Sequence, residues 1–139
     1  SEKTDELCVK LEEQYGIQIK TIKNEEYDVT NTSVSTYLAS SFIEDNNLDD
    51  DFILINGDNV LDPKIIHNIN ESPYSSIIVD NAKTLNEESF KLIIKDGVIL
   101  GIGKELPIAE SSGEFIGVSK IINNDLEEFN ELLRETIDD

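Results

Sequence analysis

The chain is short of cations. Eleven lysines and arginines stand against 30 aspartates and glutamates in 139 residues, a formal charge of −19. Nucleic acid and anionic membranes are held through Lys and Arg, so this balance argues against both and favours divalent cations and cationic groups. Solubility or adaptation to salt accounts for the same acidity without any ligand. Cysteine occurs once, at Cys8, which excludes an internal disulfide and a cysteine metal cluster and makes a reducing cytoplasm the default compartment. Its place beside Leu7 and Leu11 puts Cys8 in an expected core. The single histidine is His67. Neither it nor Cys8 has a partner nearby in sequence, so hydrolysis through a Ser-His-Asp or Cys-His arrangement has little support. No apolar run approaches the ~20 residues of a membrane-spanning helix, and Ser1–Glu6 lacks the character of a signal peptide.

What is present reads as one globular domain, with 38% hydrophobic and 29% charged residues. Thr4 to Tyr15 has helical apolar spacing and meets a stop at Gly16. Ile17, Ile19, Thr21 and Ile22 suggest a short strand. Ser33 or Thr32 can cap a helix carrying Val34, Leu38, Ala39 and Phe42 on one face. The strand Phe52 to Ile55 follows, and Pro63 opens a short helix with Ile65, Ile66 and Ile69 directed inward and His67 outward. Ser75 to Val79 is a second apolar strand. Asp96-Gly97, set between Lys91–Lys95 and Val98–Leu100, signals a hairpin with a type I′ turn. Gly113 to Lys120 is another strand, and Asn124 or Asn123 can cap a last helix with Leu126, Phe129, Leu133 and Ile137 on one side. The alternation of helices and strands implies an α/β fold whose sheet is mostly parallel, flanked by helices and extended by the hairpin. Asn81 to Ser89 reads as the most mobile connection.

Two motif-like stretches fail on inspection. Asp45-Asn46-Asn47-Leu48-Asp49-Asp50 begins like a calcium loop, but Asp50 occupies the place of the turn glycine and Asn56 that of the bidentate glutamate. Gly101-Ile102-Gly103-Lys104 resembles a phosphate loop, yet the spacing from Gly97 is wrong and Glu105 stands where Ser or Thr should ligate magnesium. Close packing or a bulge suits these glycines better.

Asp58 is the strongest single candidate. It follows an apolar strand and Gly57, and a carboxylate placed there can hold a hard cation such as Mg2+ on a nucleotide phosphate. Gly-Asp after a strand is also ordinary turn chemistry.

Taken in order, Tyr27-Asp28-Val29-Thr30-Asn31-Thr32, Ser35-Thr36-Tyr37-Leu38-Ala39, Phe52-Ile53-Leu54-Ile55-Asn56-Gly57-Asp58, Val79-Asp80-Asn81 and Gly113-Glu114-Phe115-Ile116-Gly117-Val118 resemble the central part of the nucleotidyltransferases. That family joins a nucleoside triphosphate to a sugar phosphate or to phosphocholine. Within it, the stretches Tyr27–Ala39 and Gly113–Lys120 look closest to cytidylyltransferases acting on phosphocholine and related phosphorylated alcohols. The resemblance implies a Rossmann-like, nucleotide-diphospho-sugar transferase-like sheet. It also implies Mg2+ on Asp58 as catalytic metal ligand, CTP as donor, and an acceptor pocket near Asn31, Asp80 and Glu114. The two acids would face a cationic head group, with Tyr27, Tyr37 and Phe115 as aromatic neighbours.

The family's opening Gly-rich loop, its Arg and Pro-Lys segment and its later acidic segment have no counterpart here. The chain therefore reads as an internal piece of a longer nucleotidyltransferase domain or a reduced relative. A sugar 1-phosphate acceptor and a non-catalytic binding module remain as alternatives.

Overall fold

The computed structural model describes residues 2–138. These group into two compact units, one running from Asp49 to Leu126 and the other comprising the residues up to Leu48 and those from Glu127 onward.

Every strand among the described residues falls in the Asp49–Leu126 unit. The helices α1 (Glu2–Tyr15) and α2 (Thr32–Asp45) precede it in the chain and belong to the other unit. Its own elements are β1 (Phe52–Ile55), α3 (Pro63–Asn70), β2 (Ser76–Asp80), β3 (Lys91–Lys95), β4 (Val98–Gly103) and β5 (Gly113–Ile121). β5 organises the sheet, which runs β1-β5-β3-β4 with β2 also paired to β5. Phe52 lies opposite Ile121 and Ile55 opposite Val118; Ser76 lies opposite Lys120 and Asp80 opposite Glu114. Leu92 meets Gly113 at the start of the same strand.

All of these pairings are antiparallel, which corrects the expectation of a mostly parallel, Rossmann-like sheet. The reason is an intercalated strand. β1 and β2 do run in one direction, and α3 does join them, but β5 enters between them from far along the chain and takes the hydrogen bonds of both. The rhythm of a strand-helix-strand unit is present while its parallel ladder is not.

Local signals explain most elements. Asp62 caps α3 by accepting from the Lys64 N–H at 2.9 Å, with Pro63 in the first turn. Ile69 is buried and His67 points outward. Asp96 and Gly97 both have positive φ, +53° and +79°, as a type I′ hairpin turn demands. The β3–β4 ladder slips between Ile93, opposite Gly101, and Ile94, opposite Ile99, so Leu100 is the extra residue of a bulge beside Gly101, while Gly103 keeps regular register with Lys91. Leu92 and Val118 are fully buried, with Ile69 and Leu126 nearly so; burying such side chains contributes about 1.5–3 kcal/mol each.

Two lysines of this unit are buried, Lys91 and Lys120, and Lys120 ties β5 to the end of α3. The Lys120 ammonium donates to the carbonyls of Asn70 at 3.0 Å and Ser72 at 2.7 Å, just where α3 ends, and pairs with Asp51 at 3.1 Å. The Asn70 carbonyl, in the last turn of α3, has no partner within the helix, and a cation there also meets the negative end of its dipole.

The other unit is helical. It holds α1, α2 and the C-terminal helix α4 (Leu126–Asp138), whose first residue belongs to the strand-bearing unit. Asn31 rather than Ser33 or Thr32 caps α2, accepting from the Ser33 N–H at 3.0 Å. Asn123–Asp125 forms a 3-10 turn leading into α4 instead of a simple cap.

The strand expected over Ile17–Ile22 does not form. Gly16 turns the chain at φ +65°, the Ile19 N–H is taken by the Glu12 carboxylate at 2.7 Å, and this unit offers no second strand to pair with. Cys8 is half-buried rather than part of a core, and Leu7 beside it is exposed.

Candidate functional site

The carboxyl ends of β1 and β2 lie at the same end of the sheet, because both strands are antiparallel to β5. Beyond β1 the chain makes the turn Asn56-Gly57-Asp58-Asn59, closed by the Asn59 N–H on the Asn56 carbonyl at 3.1 Å. Three further bonds fasten this turn to β5. The Asn56 N–H donates to the Gly117 carbonyl at 2.9 Å, and Asn59 Nδ2 donates to the carbonyls of Ile116 at 2.9 Å and Gly117 at 3.3 Å.

Gly117 makes the approach possible. Its φ is +78°, and a Cβ there would stand 2.5 Å from Asn56 Nδ2 and 2.9 Å from Asn59 Nδ2, too close for any side chain. Asp58 sits at the exposed crest of the turn. Its carboxylate makes no hydrogen bond or ion pair among the described residues, so it is held out to solvent on an anchored loop.

Beyond β2 the chemistry differs. Asp80 lies opposite Glu114, and its Oδ1 accepts from the N–H groups of Ala82 at 2.9 Å and Lys83 at 3.1 Å. That turn brings the Lys83 ammonium to Glu114 at 2.6 Å, where the carboxylate side chain is 15% exposed. The Lys83 ammonium beside it holds the Glu114 carboxyl below the ordinary glutamate value, against the opposing effect of its burial. Glu114 and Gly117 are three residues apart on β5, roughly 10 Å at strand rise. Two acidic stations thus share one end of the sheet, Asp58 over Gly117 and Asp80 with Glu114 further along.

Asn31 belongs to the helical unit, where it caps α2. The block around it is tied by its own bonds: Asn24 Nδ2 reaches Thr30 Oγ1 at 2.9 Å and Ser35 Oγ at 3.1 Å. Of the aromatics, Tyr27 is exposed. Tyr37 already holds a cation, with the Arg134 guanidinium 5.6 Å from its ring centre and Arg134 Nε donating to its hydroxyl at 3.1 Å. That hydrogen bond lowers the Tyr37 phenol from its ordinary value.

Sequence reading missed three participants, Asn59, Gly117 and Lys83. Asn59 was legible as turn chemistry, but its partner strand lies nearly sixty residues later and leaves no local trace.

Among the described residues, no three of His, Cys, Asp and Glu come together as a metal-holding group. A single exposed carboxylate still fits Mg2+, which keeps most of its waters and is commonly held by one or two protein carboxylates plus substrate phosphates. No helix among the described residues is long and apolar enough to cross a membrane. No family model matches the chain, and no curated protein matches it.

Proposed function

We propose that the chain serves magnesium-dependent nucleotidyl transfer, with CTP as donor and phosphocholine or a related small phosphorylated alcohol as acceptor. The observation that carries this reading is the Asp58 carboxylate, unpartnered and exposed on a turn that Asn59 and Gly117 anchor to β5. The ordered sequence blocks around it supply the chemical class.

Asp58 would hold the metal, which when bound offsets the charge of the phosphates and orients them for in-line attack. The anchored turn fixes where that carboxylate stands, so little reorganisation accompanies loading. Asp80 and Glu114 supply negative charge for a cationic head group. Lys83 occupies Glu114 beforehand, so an acceptor ammonium competes with it for that carboxylate. A sugar 1-phosphate would use the same groups as hydroxyl partners.

A second reading, a binding module without turnover, draws on that same occupied Glu114 and on the lone carboxylate at the metal position. Calorimetric titration of the chain and of Asp58→Ala with CTP and Mg2+, paired with a pyrophosphate-release assay containing phosphocholine, separates them. Magnesium-dependent binding lost in the variant supports the metal role, and release of pyrophosphate supports transfer. Binding without release favours the module. No binding in either protein overturns both readings for this chain.

A further inference from the structure

We propose that Asn56 is a self-modification site, at which the Gly57 nitrogen attacks the Asn56 side chain and converts the turn to an aspartyl or isoaspartyl form. The sequence holds 13 asparagines, and Asn56 alone precedes glycine. Both residues are exposed. A Cβ at Gly57 would meet nothing within 4 Å, so nothing crowds the nucleophilic nitrogen. Neither the Gly57 N–H nor the Asn56 side-chain amide makes a hydrogen bond among the described residues.

The other asparagines are worse placed. The side chains of Asn24, Asn31, Asn46, Asn59, Asn86 and Asn130 are engaged in hydrogen bonds. Asn68 and Asn70 lie in α3, where the helical backbone turns the next nitrogen away from the side chain. Asn47, Asn81, Asn123 and Asn124 precede Leu, Ala, Asn and Asp, whose side chains crowd the attack.

The reaction needs only water. The Gly57 nitrogen gives up its proton to solvent and forms a bond to Asn56 Cγ, and the side-chain nitrogen leaves as ammonia, closing a five-membered imide. Water then adds to one of the two imide carbonyls, and the C–N bond at that carbonyl breaks. Opening at Cγ leaves an ordinary aspartyl residue in place of Asn56, and opening at the α-carbonyl gives the isoaspartyl form. Either product sets a second carboxylate two residues before Asp58. The isoaspartyl form also reroutes the main chain through Cγ, which displaces the carbonyl that now accepts from the Asn59 N–H.

Incubation of the full chain in warm, mildly alkaline buffer, with peptide mapping by mass spectrometry and detection of isoaspartate, tests this. Asn56 should convert several-fold faster than any other asparagine. Gly57→Ala should slow it several-fold while leaving the circular dichroism of the chain unchanged, because the site has room for the methyl group. An Asn56 that persists while other asparagines convert, conversion spread evenly over the chain, or a Gly57→Ala chain modified at the parent rate would each overturn the proposal.

Discussion

Asn59 reaches across the sheet to Gly117, its side-chain amide bridging the carbonyls of Ile116 and Gly117 at 2.9 and 3.3 Å. The contact joins a turn to a strand that follows it by nearly sixty residues. Asn59→Ala leaves the Ile116 carbonyl without this donor and should cost about 1–2 kcal/mol, read as a lower urea midpoint. Gly117→Ala imposes a side chain at φ +78° and drives it into Asn56 and Asn59. It should cost more than the Asn59 variant, and a smaller effect would mean that the turn yields freely.

Asp58→Ala is expected to leave stability within about 0.5 kcal/mol of the parent, since the carboxylate is exposed and unpartnered. A matching urea midpoint would make any loss of magnesium-dependent binding a loss of ligand. A large drop in stability would give the carboxylate a structural task instead.

Lys120→Met keeps most of the side-chain volume and removes the ammonium from the carbonyls of Asn70 and Ser72. Stranding those acceptors, together with loss of the Asp51 pair, should cost about 2–3 kcal/mol. Chemical denaturation measures it, and an unchanged midpoint would show that water replaces the ammonium without penalty.

Acid should weaken two carboxylate contacts. Asp51 is held below its ordinary 3.8 by the Asn123 N–H and then by Lys120, and Glu114 is held below its ordinary 4.5 chiefly by Lys83. Folding lowers both values, so the stabilisation is fully present above the ordinary values and is lost as pH falls through the depressed ones. Acid also relieves the self-repulsion of a chain carrying −19, so the parent alone mixes two effects. The double variant Asp51→Asn with Glu114→Gln isolates the first. Between neutral pH and the carboxylate range its urea midpoint should fall less, or rise more, than that of the parent, whereas parallel curves would show that neither contact stabilises the fold.

The Tyr37 phenol is lowered by Arg134 and by the Ser41 hydroxyl. Absorbance titration should therefore place one of the four tyrosines below the others. Arg134→Gln should return it toward the ordinary value, and a titration insensitive to that change would remove the contact from solution.

Much of the local structure was legible. Phe52–Ile55, the Pro63 helix and the Asp96-Gly97 hairpin follow from spacing and turn chemistry, which act over a few residues. Strand partners were not legible, because an apolar strand between helices looks alike whether it pairs in parallel with its neighbour or antiparallel with a latecomer. Ile17–Ile22 illustrates the converse: its alternation suits a strand, but its unit supplies no edge to join. At the site, Asp58 was readable from its own neighbourhood, and the clamp that positions it was not. The cation already seated on Glu114 comes from Lys83, whose place depends on how the Asp80 turn closes.

The central place of β5 has a consequence for synthesis. Phe52 pairs with Ile121, so β1 emerges from the ribosome long before its partner exists, by roughly 3–14 s at ordinary elongation rates. During that interval β1 and β2 have no ladder to join, and the nascent chain carries two unpaired apolar segments past its own hairpin. A stretch of nine residues, Gly113–Ile121, then completes three pairings nearly at once. The sheet is gated by the last strand to be made.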